Sequence, residues 1–158
     1  MWGPKKVFTW GCLENALLAQ ELFPDWTCRV YYGQDVDPQV LEKLEELHNV
    51  ELIDKSMEVS NKRNCMWRFH PLFEPHTDVV ISRDTDSLLS PRDVYCVEEW
   101  LSSDKDFHII RDVGEHTTAA IMGGLFGARN GVCASQKDAY TDAYNSVDLS
   151  KTNYGVDQ

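Results

Sequence analysis

Between Thr27 and Arg111 the chain alternates short β-rich runs with longer amphipathic ones, and this alternation restricts its fold more than any other feature. The run "TCRVYY", Thr27 to Tyr32, is rich in strand formers and stops at Gly33. Asp37 followed by Pro38 predicts a capped helix start. Val40, Leu41, Leu44 and Leu47 then fall on one stripe, with Glu42, Glu45 and Glu46 outside it. "VELI", Val50 to Ile53, reads as a short strand, and Val79 to Ser82 as another. Ser90 and Pro91 open a helix whose buried stripe is Val94, Val97 and Leu101, and "FHIIR", Phe107 to Arg111, returns as a strand. Repeated strand–helix–strand order predicts an α/β fold, a mostly parallel twisted sheet flanked by helices. At 158 residues, one domain over positions 1–158 is expected.

The flanking segments extend the pattern. Leu13/Leu17 and Leu18/Leu22 predict a helix over Cys12 to Phe23, ended by Pro24. In "NKRNCMWRFHPLF", Met66, Phe69 and Phe73 have helical spacing, and Pro71 should kink or end that helix. "AAIM", Ala119 to Met122, reads as a strand closed by Gly123 and Gly124, and a helix is expected over roughly Ala134 to Tyr144.

Charge narrows the partners. With 15 lysines and arginines against 26 aspartates and glutamates, the chain carries −11. Such a chain repels phosphate backbones, so nucleic acid and anionic membranes are not expected partners. Five widely spaced cysteines without a CxxC predict reduced, buried thiols rather than a disulfide framework or a zinc site. Reduced thiols and the lack of an apolar run of spanning length suggest a cytoplasmic protein with no membrane span.

The chemistry concentrates in "DVVISRDTDSLLSPRD". An apolar strand runs straight into Asp84 and Asp86. Along an extended chain, Ser82, Asp84 and Asp86 would share one face, and Arg83 and Thr85 the other. Carboxylates about 6–7 Å apart repel by roughly 2–3 kcal/mol at an effective dielectric near 20. A divalent cation turns that repulsion into attraction, and oxygen-only ligands suit Mg²⁺ or Mn²⁺. In parallel sheets, ligands sit at the carboxyl ends of strands, where this pair lies.

The stretch resembles the DxD motif of GT-A-fold glycosyltransferases, which use nucleotide-diphosphate sugars. "MWRFHPLFEPHTDVVISRDTDSLLSPRD" is similar to a longer signature of small bacterial and large-DNA-virus proteins of that type. "FHIIRD", "IMGGLFGAR" and "YGVDQ" resemble later blocks in the same order, so the likeness spans most of Cys12 to Gln158. It implies a metal-dependent transfer of a sugar to a glycan or other hydroxyl acceptor, with Mn²⁺ or Mg²⁺ as cofactor. Asp86 would be the main metal ligand. Asp84 would reach the ribose or the sugar, or hold the metal through water. Arg68 would face the donor, and Arg83 would pair with a phosphate or form a structural salt bridge. Gly123 and Gly124 would let the backbone approach the sugar. Asp157 would touch the acceptor or the transferred sugar as a candidate base, and His116 is a candidate donor contact.

Relative to that family pattern, a first hydrophobic strand before "MWGPKKVFTWGC" and a segment after Gln158 are expected to be missing. That raises self-association, or a partner chain that completes the fold. Two other readings remain at this stage. One is a catalytically inactive sugar-nucleotide-binding or assembly remnant of the fold. The other is a phosphatase of the haloacid dehalogenase type, in which the first aspartate of a DxD is the nucleophile; Leu88 stands where that motif wants Thr or Val.

Overall fold

The fold is taken from a computed structural model that describes residues 1, 3–58, 62–111, 114 and 120–147. It is an α/β structure with one two-stranded parallel sheet, one three-stranded antiparallel sheet, and helices. The chain divides into two compact units. One comprises Met1–Ser60 and Thr85–Glu99, and the other Asn61–Asp84 and Trp100–Gln158.

The first unit is built on a strand–helix–strand repeat. Helix α1 (Lys6–Leu22) buries Thr9, Cys12, Leu13, Ala16 and Ala19, positions spaced three or four apart on one face. It begins earlier than the leucine spacing predicts, because its first turn buries only Thr9 and presents no apolar stripe. It ends where the Phe23 N–H bonds the Ala19 carbonyl, just before Pro24. Strand β1 (Cys28–Tyr32) pairs in parallel with β2 (Val50–Asp54), Cys28 facing Val50 and Tyr32 facing Asp54. Helix α2 (Pro38–Glu45) connects them; the Asp37 carboxylate accepts the Gln39 N–H at 3.0 Å, with Pro38 in the first turn. Its Val40 and Leu44 are fully buried in a core with Cys12, Leu13, Ala16 and Val30. Each such side chain contributes roughly 1.5–3 kcal/mol through burial. Asn49 ties α1 to the sheet: its side-chain amide donates to the Ala16 carbonyl at 2.9 Å, and its backbone carbonyl accepts the Cys28 N–H at 2.7 Å.

Helix α3 (Pro91–Leu101) opens with its predicted serine, but the cap runs backwards. The Asp93 carboxylate accepts both the Ser90 N–H (2.9 Å) and the Ser90 hydroxyl (2.7 Å), the return half of a capping box.

In the second unit, the segment Lys62–Phe73 is a 3₁₀ helix with Pro71 inside it, not the kinked α-helix that the spacing predicts. Runs of that length are uncommon, and side chains from α4 (Lys137–Ser146) hold this one. Tyr140 donates its hydroxyl to the Met66 carbonyl at 2.9 Å, and the Trp67 indole N–H donates to the Tyr144 hydroxyl at 3.0 Å. Strands β3 (Val79–Arg83), β4 (Phe107–Ile109) and β5 (Leu125–Arg129) form a sheet in the order β3-β5-β4.

This order corrects the expectation of a mostly parallel sheet. β5 is antiparallel to both of its neighbours, so only β1 and β2 pair in parallel among the described residues. The alternation did anticipate that β3 and β4 point the same way, since each opposes β5. It missed β5, because the strand follows Gly123 and Gly124 instead of preceding them. Positions 120–122 of "AAIM" form no strand, and "LFGAR" takes the central place with Phe126, Gly127 and Ala128 buried.

No helix among the described residues is long and apolar enough to cross a membrane. All five cysteines are free thiols, and burial pushes Cys12 up to about 11.

Candidate functional site

The second unit brings four of the predicted site residues together. Ser82, the last inward-facing residue of β3, is buried and donates its hydroxyl to the Gly123 carbonyl at 2.6 Å. The register sets Arg83 opposite Leu125, so the two glycines that precede β5 lie across from Asp84. The Asp84 carboxylate rests on the α-carbon of Gly124. A Cβ there would fall 2.1 Å from Oδ2, 2.3 Å from Cγ and 2.7 Å from Oδ1. Arg68 completes the group, with Nη1 2.8 Å from Asp84 Oδ1. Arg68 is mostly covered, whereas 48% of the Asp84 side chain is open to solvent. The arrangement therefore holds one carboxylate in a fixed orientation and leaves part of it accessible. Arg83 closes β3 and is half-buried. His116 and Asp157 lie outside the described residues.

Asp86 belongs to the first unit, and its side chain is exposed. The extended chain that would set Asp84 and Asp86 on one face ends at Arg83, and residues 85–87 turn. The turn is attached to α1. The Asn15 amide donates to the Thr85 carbonyl at 3.3 Å and to the Gly11 carbonyl at 3.0 Å. The Asn15 side-chain oxygen accepts the Leu89 N–H at 2.8 Å. Gly11 is buried directly against the Thr85 carbonyl, where a Cβ would sit 2.2 Å from the oxygen. Sequence reasoning passed over Gly11 and Asn15, and it placed Ser82 on the face of Asp84 without giving it a partner. The available signal was a glycine inside a helix and an amide between Cys12 and Ala16 on a largely apolar face.

At the carboxyl ends of β1 and β2, Tyr32 faces Asp54. The Ser56 hydroxyl and N–H hold the Asp54 carboxyl below the usual carboxylate range, and burial, reinforced by Asp54, pushes the Tyr32 phenol up. Trp10 packs on the first unit's core with Lys43 Nζ 5.9 Å from its ring centroid.

The donors available at the motif are hard carboxylate oxygens, which suit Mg²⁺ or Mn²⁺. Among the described residues, no three His, Cys, Asp or Glu side chains are grouped to hold an ion. Asp86, exposed in the first unit, fits the mode in which a single carboxylate holds the ion and water and phosphate complete its shell. In comparisons with known proteins, no family model, no curated protein and no solved structure matches this chain.

Proposed function

We propose that the chain is a metal-dependent glycosyltransferase of GT-A type, which transfers a sugar from a nucleotide-diphosphate donor to a hydroxyl acceptor. One observation carries the reading: Asp84 is oriented by Arg68 and seated on Gly124 at the exit of a strand, with part of its carboxylate open to solvent. Asp86 follows two positions later in the sequence and is itself exposed. A buried structural salt bridge needs neither that opening nor a bare α-carbon beneath it.

In this reading the residues divide the work. Asp84 accepts hydrogen bonds from hydroxyls of the ribose or the transferred sugar, and Arg68 holds its carboxylate in place. Gly124 leaves the space that the Asp84 carboxylate occupies, and Gly123 lets the backbone approach the sugar. Asp86 is the cation ligand. A divalent cation, when bound, supplies Lewis-acid neutralisation of the diphosphate leaving group. The rest is positioning of donor and acceptor and exclusion of water.

The test is donor turnover. The purified chain is incubated with UDP-sugars and GDP-sugars with and without Mn²⁺, and release of nucleoside diphosphate is followed. The reading expects metal-dependent release from one donor, lost in Asp86→Ala and Asp84→Asn. Binding without release would favour the inactive remnant instead, and phosphate release from an aryl phosphate with Mg²⁺ would favour the phosphatase.

A further inference from the structure

We infer that Asn15 is a positioning residue for Asp86: the helix α1 amide fixes the turn that carries the cation ligand. The inference rests on the glycosyl-transfer reading, because it assigns Asp86 its partner ion.

Residues 86, 87 and 88 are all exposed, Leu88 by half, so packing from above does not hold this turn. From below, one side chain ties both of its ends. Asn15 donates to the carbonyl of Thr85, the residue before Asp86, and accepts the N–H of Leu89, three residues after it. Both ends of the turn are therefore tied to the same planar group, which leaves little freedom for the backbone of Asp86. A side-chain amide suits this role. It offers an N–H₂ donor and a carbonyl acceptor at once, in a rigid plane. Aspartate keeps the acceptor and loses the donor; leucine has the size and neither function.

A second observation is independent of those hydrogen bonds. One helical turn before Asn15, Gly11 gives the Thr85 carbonyl a flat seat, and a Cβ there would also lie 3.7 Å from the Asp86 α-carbon. Positions i and i+4 stand on one helix face. Gly11 and Asn15 thus form a paired support, one steric and one polar, under the residue that the reading makes the metal ligand. A turn with a purely connecting role would not require both.

The experiment compares Asn15→Leu and Asn15→Asp with the wild type and with Asp86→Ala. Three quantities are read: melting temperature, exchange of the Leu89 amide by NMR, and Mn²⁺ affinity by calorimetry with UDP or GDP present. Both variants are used because either one could fail to fold. In a folded variant, the inference expects faster Leu89 exchange in Asn15→Leu and Mn²⁺ affinity weakened about tenfold or more, as when a group that orients a metal ligand is lost. It expects no matching loss of melting temperature. If both variants bind Mn²⁺ within about twofold of wild type while Asp86→Ala does not bind it, the inference is overturned and the glycosyl-transfer reading stands. If the wild type itself takes up no Mn²⁺ with either nucleotide, that reading falls and the inference falls with it.

Discussion

The carboxylate of Asp84 lies on the bare α-carbon of Gly124, at a distance where any side chain would occupy the same space: a Cβ would be 2.1 Å from Oδ2. Gly124→Ala must therefore drive the carboxylate away from its seat and off Arg68. The expected result is a stability loss of about 1–3 kcal/mol, typical of overpacking, and a loss of nucleotide-sugar binding larger than that change explains. Denaturant melts and donor titration on the same preparation measure both.

Arg68 tests the same carboxylate from the other side. The pair is 2.8 Å long, but Asp84 is half exposed, so solvent screens it. Arg68→Ala should lower stability by no more than about 1 kcal/mol. Its effect on donor affinity should be several-fold, with Arg68→Lys intermediate because a point charge replaces a planar fork. Equal losses of stability and affinity would mark the pair as structural.

Gly11 offers a test of sign. In an ordinary helix interior, Gly→Ala stabilises by about 1 kcal/mol. Here the added methyl would sit 2.2 Å from the Thr85 carbonyl oxygen, which is backbone and cannot rotate away. Gly11→Ala is therefore expected to destabilise, by about 1–3 kcal/mol, and chemical denaturation gives the sign directly.

The pH dependence on the alkaline side should report Cys12. Its thiol ionises near 9.0 in the unfolded chain and at about 11 in the buried native site. The unfolded state thus loses its proton first, so this contribution is complete below pH 9 and is lost as pH rises towards 11. The loss is about 2–3 kcal/mol over that interval. Cys28, also pushed up by burial, acts in the same direction. Cys12→Ala should be less stable at neutral pH and show a shallower alkaline slope in denaturant titrations.

Arg129 stands at the end of β5 and gathers four carbonyls, two from the last turn of α3 and two from the residues after it. Its Nη2 donates to Leu101 (2.9 Å), Ser103 (3.1 Å) and Trp100 (3.4 Å), and its Nε donates to Lys105 (3.0 Å). These include carbonyls that a helix end leaves without partners. Arg129→Met keeps the stem and removes the donors, so thermal unfolding should show a loss of about 1–3 kcal/mol.

Much of this architecture was legible where local chemistry decides the outcome. Asp37 and Pro38 announce α2, and Val40 and Leu44 are its two fully buried residues, as the stripe requires. The apolar run before Asp84 is β3. What the pattern could not carry was pairing. An apolar segment near two glycines does not reveal on which side of them the strand lies, nor that β5 inserts between β3 and β4 and reverses the direction. The 3₁₀ path of Lys62–Phe73 depends on Tyr140 and Tyr144, more than seventy residues away. At the site, Asp84, Arg68, Gly123 and Gly124 were readable as residue types in an ordered motif. Gly11 and Asn15 were not, because their partners are backbone atoms seventy positions along the chain, and backbone atoms leave no mark in a sequence.

The most direct measurement is calorimetric titration of the wild-type chain with UDP, GDP and their sugars, in the presence and absence of Mn²⁺, with Asp86→Ala as reference. The account predicts saturable binding of one nucleotide that requires the metal and disappears in the variant. Heat-silent titrations for every donor, or binding that is indifferent to both Mn²⁺ and Asp86, would contradict it.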